Sequence, residues 1–165
     1  MAVKRILVPI DFSDNSSTAL TYARDFAKTC GAELVILHVI EPIYYATPAD
    51  MYATSANLAA LIDEQQRLSS AQLARLSREL KKKHEPHRTI LKTGSPAQVI
   101  VDTAKSTRAD LVIMSTHGRT GFAHMLMGSV SEKVVRSAAC PVLTLHQGLT
   151  KKHRARRKQR ADKTR

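Results

Sequence analysis

Residues Asp110 to Val135, DLVIMSTHGRTGFAHMLMGSVSEKVV, constrain the fold of this chain more than any other stretch. Leu111-Val112-Ile113-Met114 is short, apolar and uninterrupted, as expected of a strand buried on both faces of a parallel sheet. A polar, Gly-containing segment follows, Ser115 to Gly121, and then Gly128-Ser129-Val130-Ser131-Glu132. Ser129 and Glu132 have the spacing of a capping box, which predicts a helix starting at Ser129. Strand, Gly-rich loop and helix N-terminus, in that order, can aim several backbone N–H groups and the positive end of a helix dipole at one anion. A Cβ in such a loop would hold a phosphate away from the backbone. On the residues alone, the alternative is a connection that uses glycine only for turning. Neither G-x-x-x-x-G-K-(S/T) nor G-x-G-x-x-G occurs, which excludes a P-loop and a dinucleotide fingerprint.

The rest of the chain alternates strand-like and helix-like patterns. Residues 4–10 (KRILVPI) and 33–40 (ELVILHVI) are buried-strand runs, and 87–92 (HRTILK) is a weaker one. Between the first two, Ser13 or Asp14 can cap a helix over 15–29, with Ala19, Leu20, Ala23, Phe26 and Ala27 on one face and Gly31 as its stop. Residues 41–55 form a loop holding Pro42, Pro48 and three of the four tyrosines, the kind of long connection that serves as a lid or contact surface. Leu58, Leu61, Ile62, Leu73, Leu76 and Leu80 predict a long helix over 57–83. Ser95, Pro96 and Gln98 read as N-cap, first helical residue and capping-box partner of a helix reaching 107. Pro141–Leu145 is the last strand, and a proline at its start suits a sheet edge. This alternation predicts a parallel α/β sheet with right-handed crossovers, whose ligands bind at the carboxyl ends of the strands.

The loop resembles a more specific pattern, the nucleotide-binding signature G-x2-G-x9-G-(S/T) of the universal stress protein family. Gly118 matches its second glycine, nine residues separate it from Gly128-Ser129, and Ser115 stands at the first glycine position. The resemblance extends over about residues 4–145. It implies a five-stranded parallel doubly wound sheet of order 3-2-1-4-5, of the adenine nucleotide alpha hydrolase-like, Rossmann-like kind. The switch point then lies between the first and fourth strands. It also implies the site. Asp11 would contact the adenosine moiety, and Pro9 and Val39 would pack around adenine. Met114 and Ser115 would form the strand end beneath the phosphates, and Gly118, Gly128, Ser129 and Val130 their cradle, with Arg119 beside it. On the residues alone Asp11 is equally a helix-start residue, Pro9 and Val39 are ordinary core, and Arg119 is a solvated cation. The implied ligand is ATP, with Mg²⁺ held through its phosphates. The family also contains members that bind no nucleotide and act as dimeric interaction proteins. It commonly pairs the last strand across a two-fold axis, implying a homodimer through Pro141–Leu145.

Composition narrows the function classes. The chain has 165 residues, enough for one domain with a real core. No apolar run reaches the roughly 18 residues of a membrane span, and the run after Lys4-Arg5 is too short for a signal peptide. A cytoplasmic protein is the expectation. Cys30 and Cys140 lie far apart and form no CxxC, so two reduced, partly buried thiols and no metal centre are expected. Missing too are a P-loop lysine, paired metal carboxylates and a placed general base, which argues for at most slow ATP hydrolysis. His117 has no placed partner that would make it an acid–base catalyst. The net charge of +12 is uneven: residues 151–165 hold nine Lys/Arg against one Asp. The expected organisation is a domain over 1–147 and a basic tail over 148–165, through which nucleic acid or another polyanion could bind.

Overall fold

In the computed structural model, residues 2–41, 55–116 and 127–146 are described. They form β1 (Arg5–Ile10), α1 (Asp14–Cys30), β2 (Glu33–Ile40), α2 (Ser55–Lys82), β3 (His87–Thr93), α3 (Pro96–Ser106), β4 (Leu111–Ser115), α4 (Ser129–Ser137) and β5 (Val142–Leu145). The five strands make one parallel sheet of order β3-β2-β1-β4-β5, as expected.

Period-two alternation builds a core on each face. Ile6, Val8, Ile36 and Ile113 pack on one face against Ala19, Ala23 and Ala27 of α1 and Leu73 and Leu80 of α2. Leu7, Val35, Leu37, Val112 and Met114 pack on the other against Ala97, Ile100 and Ala104 of α3 and Val134 of α4. Alanine dominates the α1 contact, which lets that helix lie close to the sheet. Ser13 caps α1 by accepting from the Ser16 N–H, and Gly31 ends it in the left-handed region at φ 68°. An ionic cluster centred on buried Glu85, just before β3, ties the first layer together: Glu85 takes Arg24 through both carboxylate oxygens (2.6 and 2.7 Å) and the exposed Lys28 at 3.0 Å.

Several expectations are corrected. Leu61 and Ile62 are 59% and 47% exposed, whereas Leu73 and Leu80 of the same helix are buried in the core. Ser95 and Gln98 form no capping box; Gln98 Nε2 donates instead to Asp102 Oδ1, one turn on, at 3.0 Å. The N-cap of α4 is Gly128, not Ser129, which is the first helical residue. Cys30 is exposed rather than partly buried.

Candidate functional site

The ladder between β1 and β2 runs through six Cα pairs, from Arg5–Glu33 to Ile10–His38, but that between β1 and β4 covers only Ile6–Leu111 and Leu7–Val112. The pairing thus stops short of the carboxyl ends of the two strands at the switch point of the strand order. Helices leave a doubly wound sheet in opposite directions there, and a crevice results.

At the end of β1 the chain makes a tight polar turn. Asp11 Oδ1 accepts from the Ser13 N–H at 3.0 Å and from Ser13 Oγ at 2.6 Å, and the Asp11 N–H donates to Ser16 Oγ at 3.3 Å. Asp11 is therefore a helix-start residue. A carboxylate has about four lone-pair directions, so this role does not exclude accepting a hydrogen bond from a ligand. Between Asp11 and Ser13, Phe12 has φ 61°. A bulky residue in the left-handed region costs about 1–3 kcal/mol, so neighbouring contacts must hold it there. The contact in view is with His38, whose ring centroid is 4.6 Å from that of Phe12. His38 Nδ1 lies 2.8 Å from the Ile10 carbonyl oxygen, which can only accept, so Nδ1 carries the proton.

Across the crevice, β4 ends at Ser115 and α4 begins. Thr116 is the anchor. Its carbonyl oxygen accepts from the Gly128 N–H at 2.8 Å and from Ser131 Oγ at 3.0 Å. Its own N–H donates to the Leu145 carbonyl at 3.0 Å. Gly128 has an ordinary φ of −75°, so backbone conformation is not what requires glycine there. Close approach is: an added Cβ would lie 2.8 Å from Thr116 O. Gly128, the N-cap residue, makes no side-chain cap hydrogen bond. Its first intrahelical bond is from the Glu132 N–H to the Gly128 carbonyl, and the N–H groups of Ser129, Val130 and Ser131 precede it. Those three groups and the helix dipole suit an anion.

Strand alternation sorts the expected site residues. Pro9 follows Leu7 on the α3/α4 face, Val39 follows Leu37 there, and Met114 follows Val112, while Asp11 lies one residue beyond the end of β1. Val130 packs against the same cluster, and Ser129 is exposed at the helix start. The structure thus brings Pro9, Val39, Met114, Gly128, Ser129 and Val130 to the carboxyl end of one face, with Asp11 just past the carboxyl end of β1. Ser115 follows Ile113 and pairs with Leu145, so its side chain belongs to the opposite face. Gly118, Arg119 and His117 lie outside the described residues. Sequence reasoning missed Thr116, Ser131 and His38. The signal for His38 was a lone imidazole inside an otherwise apolar strand.

A parallel sheet of this order, with a polar turn and a helix N-terminus following its two strands at the switch point, defines a Rossmann-like α/β protein. The universal stress protein family model matches residues 2–146. Universal stress protein MJ0531 of Methanocaldococcus jannaschii is 33% identical over 86% of this chain and 81% of its own length. The solved structure of MJ0577 from the same organism covers 89% of this chain and 98% of its own, at 26% identity and TM-score 0.75. A universal stress protein solved in complex with cAMP covers 88% and 99%, at 26% identity and TM-score 0.64. The chain belongs to the universal stress protein family. Among the described residues, no helix is long and apolar enough to cross a membrane.

Proposed function

We propose that this chain binds an adenine nucleotide, ATP in the first place, in the crevice at the carboxyl ends of β1 and β4, and serves as a cytoplasmic stress-response module that signals by binding. The N-terminus of α4, which starts on a glycine with no capping side chain and is anchored at the end of β4 by the Gly128–Thr116 hydrogen bond, is the observation that carries this reading. Ser129 and Val130, with the Ser131 N–H, receive phosphate oxygens, joined by Gly118 and Arg119 of the signature. Pro9, Val39 and Val130 flank the base, and Asp11 accepts from a ribose hydroxyl. Met114 and Ser115 form the floor. Mg²⁺ is held through the phosphates. The cAMP complex of a relative supports a purine nucleotide as the ligand class. Residues 1–147 act as the family's domain and 148–165 as a basic tail.

A second reading, a dimeric interaction protein that binds no nucleotide, is favoured by Ser115 at the first glycine position. The alternation that puts Ser115 on the α1/α2 face removes most of that objection.

The test is calorimetry with ATP on the parent and on Ser129→Asp. A carboxylate in the first turn favours the helix dipole and leaves stability equal or raised by about 0.3–1 kcal/mol. The same charge repels phosphate, so ATP affinity falls at least about tenfold. Equal affinity for the two proteins moves the phosphate site elsewhere. No binding by the parent favours the second reading.

A further inference from the structure

We propose that His38 is a positioning residue that sets how this protein recognises the sugar of its nucleotide, through Ile10, Phe12 and Asp11. The proposal rests on the nucleotide-binding function stated above. His38 is buried on the face of β2 that packs against α1 and α2, and it reaches Asp11 through the neighbouring residues Ile10 and Phe12 and not by direct contact.

The ladder between β1 and β2 ends at the pair Ile10–His38. Beyond that pair no strand partner fixes the chain. His38 takes over: its Nδ1–H donates to the Ile10 carbonyl at 2.8 Å, and its ring meets that of Phe12 at 4.6 Å and an interplanar angle of 54°. The two contacts bracket Asp11, one residue before it and one after. Phe12 at φ 61° turns the chain so that the Ser13 N–H and hydroxyl both reach Asp11 Oδ1. The direction of the carboxylate is thus fixed by a turn whose first peptide is clamped by His38.

The hydrogen bond is the stronger half of the clamp. A buried carbonyl that loses its donor moves to recover one, and Asp11 moves with it. The ring contact supports the left-handed turn but does not orient the Ile10–Asp11 peptide. His38 therefore contributes to recognition of the ribose hydroxyls, and very little to the phosphate end, which α4 holds.

The experiment measures affinity for ATP and for its 2′,3′-dideoxy analogue. Parent and three variants, His38→Phe, His38→Leu and His38→Asn, are compared, with the thermal midpoint recorded for each. The parent prefers ATP by about tenfold or more, the worth of a hydrogen bond to a charged group. His38→Phe keeps an aromatic ring against Phe12 but has no donor. His38→Leu lacks both ring and donor, and is small enough to fold where phenylalanine overpacks. In each, the preference falls to within about twofold of unity while affinity for the dideoxy analogue is retained. Asn Nδ2 occupies nearly the place of His Nδ1, so His38→Asn restores the preference. The parent's preference persisting in a donor-free variant, or both ligands weakening equally in all three, overturns the positioning role. Absence of ATP binding, or of any preference, in the parent overturns the underlying nucleotide or Asp11 assignment instead.

Discussion

The Gly128 N–H donates to the Thr116 carbonyl oxygen across 2.8 Å, and a Cβ on Gly128 would lie 2.8 Å from that same oxygen. The glycine of the signature is thus needed by the fold before any ligand arrives. It brings the start of α4 against the end of β4, and Ser131 Oγ adds a second donor to the same carbonyl at 3.0 Å. Gly128→Ala should therefore destabilise the free protein by about 1–3 kcal/mol, the usual cost of forcing an extra carbon into a packed site. Urea unfolding at unchanged m-value, with a lower midpoint, reads this directly. A variant as stable as the parent would mean that the Thr116–Gly128 contact opens freely. A bulky residue such as valine at Gly128 makes a poor test of phosphate binding, because fold and site fail together.

Glu85 gives the fold a defined acid sensitivity. Its carboxyl sits well below the usual range, at about 2, chiefly through the hydrogen bonds from Arg24, with Lys28 adding and burial opposing. A depressed folded value means that this contribution is complete above the unfolded value near 4.5 and is lost as pH falls toward 2. The size is of order 3 kcal/mol at neutral pH, since one unit is worth about 1.4 kcal/mol. Glu85→Gln should lower stability at pH 7 by about that amount. It should also flatten the fall in stability between about pH 5 and pH 2 relative to the parent. Parallel pH curves for the two proteins would show that the cluster contributes nothing.

How far the sequence revealed all this can be seen from particular elements. The strands were legible because runs such as Glu33–Ile40 are apolar on both faces, and few other structures tolerate that. Helix ends were legible to within a residue or two where a single cap acts, as at Ser13 and Gly31. Capping boxes were not, because a glutamine at the third position has rival partners; Gln98 chose Asp102. The 3.6-residue period places Ile62 on the same face as Leu73 and Leu80, but it carries no information on how far the sheet extends beneath that face. Spacing singled out Gly128 and Ser129 as candidates, and they stand at the start of α4. The carbonyl of Thr116 and the imidazole of His38 act through distances between elements remote in sequence, and no local pattern encodes those.

The edge strand β5 makes a prediction about assembly. Among the described residues only β4 pairs with it, and Val142, Leu143 and Thr144 are half-buried in the single chain. A short apolar edge with one ladder unfilled invites a partner. The proposed partner is a second copy through Pro141–Leu145, since the same strand can pair antiparallel with itself across a two-fold axis. Multi-angle light scattering on the unmodified protein should report twice the mass of 18.2 kDa. A strict monomer at high concentration would remove the homodimer. Placing a charge at Val142 or Leu143 is less informative, because both also pack against the core clusters.

The last prediction concerns residues 151–165, KKHRARRKQRADKTR, which hold nine Lys/Arg and one Asp. Apart from two alanines the segment has no apolar residue, so it cannot bury a core face of its own. It also has no aromatic side chain to stack on bases. Any nucleic-acid contact it makes should therefore go to phosphate and be insensitive to sequence. Each phosphate neutralised on duplex DNA contributes a slope of about −0.9 in log affinity against log salt, so nine cations bound the slope near about −8. Comparing the full chain with one ending at Leu149, at two salt concentrations, measures the tail alone. Binding by the full chain should be salt-dependent and should largely vanish on truncation. Affinity for ATP should be the same for both, since no proposed nucleotide contact lies beyond residue 131. Equal DNA binding by the two chains, or no salt dependence, would detach the tail from the function and leave the nucleotide crevice to account for it.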